Sequence, residues 1–203
     1  PVAIIAAETE ESAQKARQLL KVTYQVLEPL LDFTKALDNP IIVHPEENFR
    51  ALCDVGTDAA RNLCSQEEMT VGDVEGELAQ SEVVLERVYH TRANSQAMME
   101  TFRTYSYIDE YGRLNVVSST QVPFHVRRIL GNALEMSRRD IRIVKPRIGG
   151  GFGAKQSVVS EIFPAFVTKM TGRPAYICYT RQETFTNGSP RHEMEMRVRI
   201  GAD

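Results

Sequence analysis

Residues 148–156 read Ile-Gly-Gly-Gly-Phe-Gly-Ala-Lys-Gln and lie between a β-type run at residues 141–144 and a helix-type run at residues 156–170. Three consecutive glycines, followed by Phe152 and Gly153, leave the backbone amides uncovered by side chains. A polar or anionic cofactor can therefore approach the main chain closely. The stretch predicts a cofactor-binding loop, and the alternative without a cofactor is a tight turn with Phe152 packed in the core.

Phosphate loops of nucleoside triphosphatases are built from similar residues. They need glycine immediately before the lysine and serine or threonine immediately after it. Here Ala154 and Gln156 flank Lys155, so the phosphate-loop interpretation fails.

A dinucleotide fingerprint survives as Gly149-x-Gly151-x-x-Ala154 at a strand-to-helix turn, where a pyrophosphate would lie on the helix N-terminus. The acid expected about twenty residues later is absent, because the next predicted strand ends at Thr180-Arg181. Arg181 could accept a 2′-phosphate instead. An NADP-dependent Rossmann-type oxidoreductase therefore remains an alternative.

A third interpretation rests on several short segments taken in order. In chain order they are Gln96-Ala97-Met98-Met99-Glu100, Ser118-Ser119-Thr120-Gln121, a helix-like segment with Arg127 and Arg128, Ile141-Arg142-Ile143, the glycine loop and Arg191-His192. Together they resemble the molybdopterin-binding subunit of the xanthine dehydrogenase and aldehyde oxidase family of molybdenum hydroxylases. The resemblance covers nearly the whole chain.

This resemblance implies a mixed α/β fold with three parts. Residues 1–28 would be the end of an α/β hammerhead domain, residues 29–71 an extended connection, and residues 72–203 the first molybdopterin-binding domain, incomplete. The chain begins with Pro1 rather than Met and stops just after a predicted strand. We therefore expect a piece of a larger polypeptide that is inactive by itself.

The resemblance also implies roles for individual residues. Gln121 would hydrogen-bond the oxo ligand of molybdenum, a role that suits an amide because it donates without titrating; the alternative is a helix-capping or solvated glutamine. Gly150, Gly151, Phe152 and Gly153 would hold the cofactor largely through the main chain. The catalytic general base, a glutamate, would lie outside this chain.

Gln156 would contact the substrate by the same resemblance. Purine-oxidising members often carry an acid at this position, whereas a neutral amide cannot stabilise a developing positive charge as a carboxylate would. Xanthine- or hypoxanthine-like purines, other N-heterocycles and aldehydes all stay open as substrates.

The implied activity is oxidative hydroxylation with water-derived oxygen at molybdopterin, or its cytosine dinucleotide form. Electrons would pass to 2Fe-2S and FAD centres on other domains or subunits, in a hetero-oligomer that is a dimer of assemblies. A non-catalytic scaffold that retains only the fold is a further alternative.

Composition narrows the range of functions. The chain has 203 residues, of which 42% are hydrophobic, so it can bury a core. Its formal charge of −3, with both signs interspersed, argues against a nucleic-acid partner. No apolar run approaches the ~20 residues that span a bilayer, and no signal peptide is visible, so we expect a cytoplasmic protein without a membrane partner.

The cysteines and histidines do not form metal-binding patterns. Cys53, Cys64 and Cys178 are widely spaced and lack a CxxC unit. We therefore predict free, reduced thiols and no metal ion bound directly by these side chains. The histidines, at positions 44, 90, 125 and 192, are too dispersed for a cluster, and none receives a catalytic role.

Periodicity predicts the secondary structure. Strands are expected at residues 2–7, 23–27, 82–92, 102–108, 114–118, 141–144, 175–179 and 194–200, and helices at 8–22, 74–79, 123–136 and 156–170. A hairpin turn is expected at residues 109–113. For Glu100 and Glu161, the acids next to matched segments, we predict structural hydrogen bonding.

Overall fold

The computed structural model describes residues 2–51 and 55–203 and shows a mixed α/β protein. Its helices and strands, in chain order, are α1 (Glu10–Leu19), α2 (Val74–Gln80), β1 (Val83–Thr91), β2 (Arg103–Ile108), β3 (Leu114–Ser118), α3 (Pro123–Ala133), β4 (Ile141–Val144), α4 (Ile162–Thr171), β5 (Ala175–Cys178), α5 (Arg181–Asn187) and β6 (Met194–Ala202). No described helix is both long enough and apolar enough to cross a membrane.

The described residues form two compact units. One consists of the residues up to Leu20 together with Arg87–Val198, and the other of the described part of Lys21–Glu86 with Arg199–Asp203. Strands β1 and β6 pair with each other in a two-stranded sheet. All residues of the candidate site lie in the first unit.

A four-stranded sheet with the order β4-β3-β2-β5 organises the first unit. Strand β2 runs antiparallel to both β3 and β5, whereas β3 and β4 are parallel. The parallel pair needs a crossover connection, and α3 supplies it. In β3, Leu114 pairs with Ile141 of β4 and with Ile108 of β2. These three residues therefore lie side by side across the sheet.

The main core lies where α3 and α4 pack on this sheet. Its buried residues are Leu114, Val116, Val126, Leu130, Leu134, Ile141 and Ala165. Buried polar side chains also join the sheet to α4, since the hydroxyls of Ser106 and Thr168 lie 2.7 Å apart. Helix α3 begins with Pro123 at its first turn, where the missing N–H costs no helical hydrogen bond.

The predicted hairpin turn between β2 and β3 is confirmed, and Asp109 explains it. Its carboxylate accepts hydrogen bonds from the N–H groups of Tyr111 and Arg113 and from the side chains of Arg113 and Asn115. Burial would raise the pKa of Asp109, but these donors outweigh it and lower the pKa to about 2. Gly112 adopts a φ of 75° that completes the turn.

Several predicted elements are wrong. Within the described ranges, residues 2–7 and 23–27 form no strand, because neither extended run has a ladder partner there. The predicted helix at residues 8–22 is shorter, at Glu10–Leu19, and begins after Thr9, whose hydroxyl accepts from the Ser12 N–H.

Two further differences lie next to the glycine loop. Helix α4 starts at Ile162 rather than at residue 156, because the Glu161 carboxylate accepts from the N–H groups of Val159 and Ser160 and offers them a non-helical partner. Helix α5 was not predicted. Its capping box, formed by Thr180 and Glu183, was readable from the sequence.

The predicted connection at residues 29–71 carries only two short 3-10 turns among its described residues, at Phe33–Lys35 and Ala59–Arg61. Hydrogen bonds from side chains to the main chain hold this segment. Asn62 accepts from the Val43 N–H and donates to the carbonyls of Ala36 and Ile41.

Candidate functional site

The glycine loop adopts a backbone that most residues avoid. Gly150, Phe152 and Gly153 have φ values of 95°, 52° and 93°, in the left-handed region that favours glycine. Phe152 is therefore a strained non-glycine residue, and it is 74% exposed rather than packed in the core. A strained backbone conformation of this kind persists only where contacts with the surrounding residues fix the loop.

Gln121 supplies the first of these contacts. It follows β3 and precedes α3, and its Oε1 accepts from the N–H groups of Gly153 and Lys155, each at 3.2 Å. Its own N–H donates to the Lys155 carbonyl at 2.9 Å. The side chain does not cap α3, which has no side-chain cap.

Gly151 permits this approach. A Cβ built at Gly151 would collide with Oε1 of Gln121 and lie 2.6 Å from its Cδ. No side chain larger than hydrogen fits there unless Gln121 moves. With Oε1 turned to the loop, the Gln121 NH₂ group makes no hydrogen bond within the described residues and remains a free donor.

The loop also presents main-chain donors. The N–H groups of Gly150, Gly151 and Phe152 make no hydrogen bond to any part of the chain that the structure describes, whereas the N–H groups on either side are bonded. Gly151 is buried, and buried N–H groups without a partner are rare in proteins. Three consecutive donors on a fixed loop can hold a ligand that accepts hydrogen bonds.

Glu100 closes the base of the loop. Its Oε2 accepts from the Gly149 N–H at 2.7 Å, from the Ser119 hydroxyl at 2.7 Å and from Lys155 Nζ at 3.0 Å. Burial would raise the pKa of Glu100, but the three donors outweigh it and hold the pKa below its ordinary value. The carboxylate therefore stays ionised, and the structural role predicted for Glu100 is confirmed.

The segment that carries Glu100 is itself anchored. The Glu100 N–H donates to the Gly149 carbonyl at 3.0 Å, and the Arg181 guanidinium donates to the carbonyls of Met98 and Met99. Met98 is buried, with its Cβ against Gly150. Arg181 is thus engaged with the main chain, and not presented to a 2′-phosphate.

Arg191 belongs to the same assembly of matched segments. Its backbone exchanges two hydrogen bonds with that of Asn94, at 2.9 and 3.1 Å. The Gln96 side chain donates to the Ser189 carbonyl nearby. The structure therefore joins residues 96–100 and 118–121 to the glycine loop, and it pairs Arg191 with Asn94 near the first of these segments.

The dinucleotide interpretation does not survive this geometry. A Rossmann fingerprint requires the glycine turn to open directly into a helix whose N-terminus holds the pyrophosphate. Here α4 begins only at Ile162, and the sheet has the mixed order β4-β3-β2-β5 rather than a doubly wound parallel one.

Glu161 forms a second buried network beside the first. It is 4% exposed, and it accepts from the Ser118 hydroxyl as well as from the N–H groups of Val159 and Ser160. Ser118 in turn accepts from the Thr104 hydroxyl at 3.3 Å. The structural role predicted for Glu161 is confirmed.

The remaining predicted residues fall into place as follows. Gln156 is exposed beside the loop, and its N–H donates to the Gly153 carbonyl. Cys64 and Cys178 carry free thiols, whereas Cys53 lies outside the described residues.

Sequence reasoning missed the ion pair of Lys155 with Glu100. No local signal in the sequence indicated this ion pair, because the two residues lie 55 positions apart.

Comparison with known proteins gives this geometry a family. Residues 55–203 match the family described as the molybdopterin cofactor-binding domain. Three related proteins align along 99 to 100% of this chain. They are the "Probable hypoxanthine oxidase XdhD" of Escherichia coli O157:H7 at 31% identity, the xanthine dehydrogenase molybdenum-binding subunit of the same organism at 32%, and the nicotinate dehydrogenase large molybdopterin subunit of Eubacterium barkeri at 30%.

The chain spans only part of each relative, namely 23%, 25% and 44% of their lengths in the same order. Solved structures agree in fold. Quinoline 2-oxidoreductase from Pseudomonas putida 86 matches 97% of this chain with a TM-score of 0.78 at 21% identity. The match spans 24% of the chain of that enzyme. Reconstituted CO dehydrogenase from Oligotropha carboxidovorans matches 95% with a TM-score of 0.76 at 22% identity, again over 24% of its own length. This chain belongs to the molybdopterin cofactor-binding domain family.

Proposed function

We propose that the glycine loop and Gln121 form part of the molybdopterin site of a molybdenum hydroxylase that acts on an N-heterocycle. One observation carries this proposal. Three consecutive main-chain N–H groups, on a strained loop held from both sides, have no partner within the described residues. Family membership supplies the ligand class, and the loop supplies donors suited to it.

The residues present fit such a cofactor. Its pterin heteroatoms, phosphate and metal-bound oxygens accept hydrogen bonds, and Gly150, Gly151 and Phe152 offer backbone donors. Neither glycine carries a side chain of its own that would cover its N–H group. The free NH₂ of Gln121 adds a donor that does not titrate. Because its Oε1 is fixed by Gly153 and Lys155, the direction of that donor is also fixed.

When bound, the molybdenum cofactor supplies the redox chemistry and activates water-derived oxygen. The chain's own residues position it. Gln121 would donate to an oxygen at the metal, and the loop amides would hold the adjacent part of the cofactor. The exposed ring of Phe152 would exclude water from the same side.

Gln156 would contact the substrate. Its amide can both donate to and accept from a heterocycle, which presents both kinds of group around its ring. The relatives named for hypoxanthine, xanthine and nicotinate point to the same substrate class. We therefore favour an N-heterocycle, a purine first, and place an aldehyde second.

The remaining parts of the catalytic machinery are proposed from the family. The general base is a glutamate outside this chain, and electrons leave through 2Fe-2S and FAD centres on other domains or subunits. The assembly would be a cytoplasmic hetero-oligomer. A hammerhead segment at residues 1–28 remains part of the same proposal.

The test is to purify the enzyme that contains this chain and measure its molybdenum and pterin contents. Activity is then assayed with hypoxanthine, xanthine, nicotinate and an aldehyde, with an artificial electron acceptor and ¹⁸O-labelled water. Gly151→Ala should lower the pterin content at least about tenfold, because the new Cβ displaces Gln121.

Gly172→Ala is the matched control. Gly172 is also a constrained glycine, with a φ of 70°, but it ends α4 and has open space around its Cβ position. It should cost stability and leave the pterin content unchanged. A wild-type enzyme that contains neither molybdenum nor pterin would refute the proposal and favour a non-catalytic scaffold.

A further inference from the structure

The two ends of the glycine loop meet at a single oxygen atom. Glu100 Oε2 accepts from the Gly149 N–H at the start of the loop and from Lys155 Nζ at its end. The Ser119 hydroxyl donates to the same oxygen and accepts from Lys155 Nζ at 2.6 Å. Three chain segments that are distant in sequence are therefore joined at the base of the loop.

This arrangement places a charge where charges are costly. The side chain of Lys155 is 1% exposed, and a buried ammonium is stable only with a counter-charge and filled hydrogen bonds. Glu100, whose side chain is 18% exposed, is the acid that pairs with it. Its depressed pKa keeps that counter-charge present near neutral pH.

The pairing also fixes the loop at its first residue. Gly149 is bound to Glu100 through both of its backbone groups, because its N–H donates to the carboxylate and its carbonyl accepts from the Glu100 N–H. A Cβ at Gly149 would lie 2.7 Å from the Glu100 Cβ. The loop can thus neither slide nor lift at this end without breaking several contacts.

We propose that Glu100, Lys155 and Ser119 are positioning residues that set the direction of the free N–H groups of the glycine loop. This inference rests on the proposed function. None of the three needs to touch the cofactor. They act through the loop, by holding its two ends at a fixed separation while Gln121 holds Gly153.

The test compares Glu100→Gln with the double variant Glu100→Gln/Lys155→Met in the assembled enzyme. The single variant leaves a buried ammonium without its counter-charge, so both the thermal midpoint and cofactor retention should fall. In the double variant the unpaired charge is gone and the midpoint should recover. The contact between Lys155 and Glu100 at the end of the loop is still missing, so the cofactor should leave on the order of tenfold faster than from the wild type.

Glu161→Gln is the matched control, since Glu161 is a buried carboxylate with the same number of donors that does not bind the glycine loop. It should lower the midpoint and leave the release rate unchanged. Release is followed by pterin fluorescence and metal content at a temperature well below every midpoint, so the readout is independent of turnover.

The outcomes separate the two proposals. A wild type without pterin removes the proposed function itself. A wild type that binds pterin, with a double variant that releases it at the wild-type rate, overturns only the positioning role. If Glu161→Gln accelerates pterin release as much as the double variant does, the positioning role is also overturned, because the release rate would then follow the loss of stability.

Discussion

Two carboxylates, the buried Glu161 and the partly buried Glu100, accept hydrogen bonds from adjacent serines, and they hold their surroundings in different ways. Ser118 donates to Glu161, and the next residue, Ser119, donates to Glu100. The other two donors to Glu161 are backbone N–H groups of its own neighbours, Val159 and Ser160. Those to Glu100 come from positions 49 and 55 residues further along the chain.

The difference shows how similar chemistry serves local and long-range purposes. Glu161 shapes the turn that precedes α4 with neutral donors, so its network is local. Glu100 uses the charge of Lys155 to join segments that are far apart in sequence. A charged network costs more to bury, and it is found here at the base of the loop with free donors.

The adjacent serines give the sharpest test of this comparison. Ser119→Ala and Ser118→Ala each remove one hydroxyl donor to a carboxylate that is wholly or largely shielded from water, so each should cost about 1–3 kcal/mol of unfolding free energy. Of the two variants, only Ser119→Ala should also accelerate pterin release, because Ser119 accepts a hydrogen bond from Lys155 Nζ and Ser118 makes no such bond within the described residues. Denaturant unfolding and pterin fluorescence provide the two measurements. Similar release rates in both variants would remove the distinction between the networks.

Asp109 extends the comparison to a carboxylate at the hairpin turn. Its pKa of about 2 lies below the ordinary aspartate value of about 3.9. A lowered pKa stabilises the fold above the ordinary value, and this stabilisation is lost as the pH falls toward 2. Asp109→Asn should therefore lower the thermal midpoint at pH 7 and do so progressively less between pH 4 and 2. A difference that does not vary with pH would contradict this assignment.

Much of the site was predictable from sequence. The glycine run, its position after a strand, and Gln121 before a proline-started helix were readable, because turn chemistry and proline placement are local signals. The strands at residues 103–108, 114–118 and 141–144 were likewise predicted to within one residue. Exposed and buried residues alternate along most of β2, whereas β3 is buried at four of its five positions.

The rest depends on contacts between distant residues. Strands predicted at residues 2–7 and 23–27 did not form, because an extended run becomes a strand only when a partner pairs with it. The start of α4 was misplaced because Glu161 holds the preceding N–H groups. No local pattern indicated that Lys155 would be buried against Glu100, since the partners lie 55 residues apart.

Amide hydrogen exchange at the glycine loop tests the central claim most directly. In the enzyme without cofactor, the N–H groups of Gly150, Gly151 and Phe152 should exchange much faster than those of Gly153 and Lys155, which are already bonded to Gln121. Binding of the molybdenum cofactor should slow the first three by at least roughly tenfold and leave the other two nearly unchanged. Exchange at Gly150–Phe152 that is identical with and without cofactor would contradict a main-chain cofactor site.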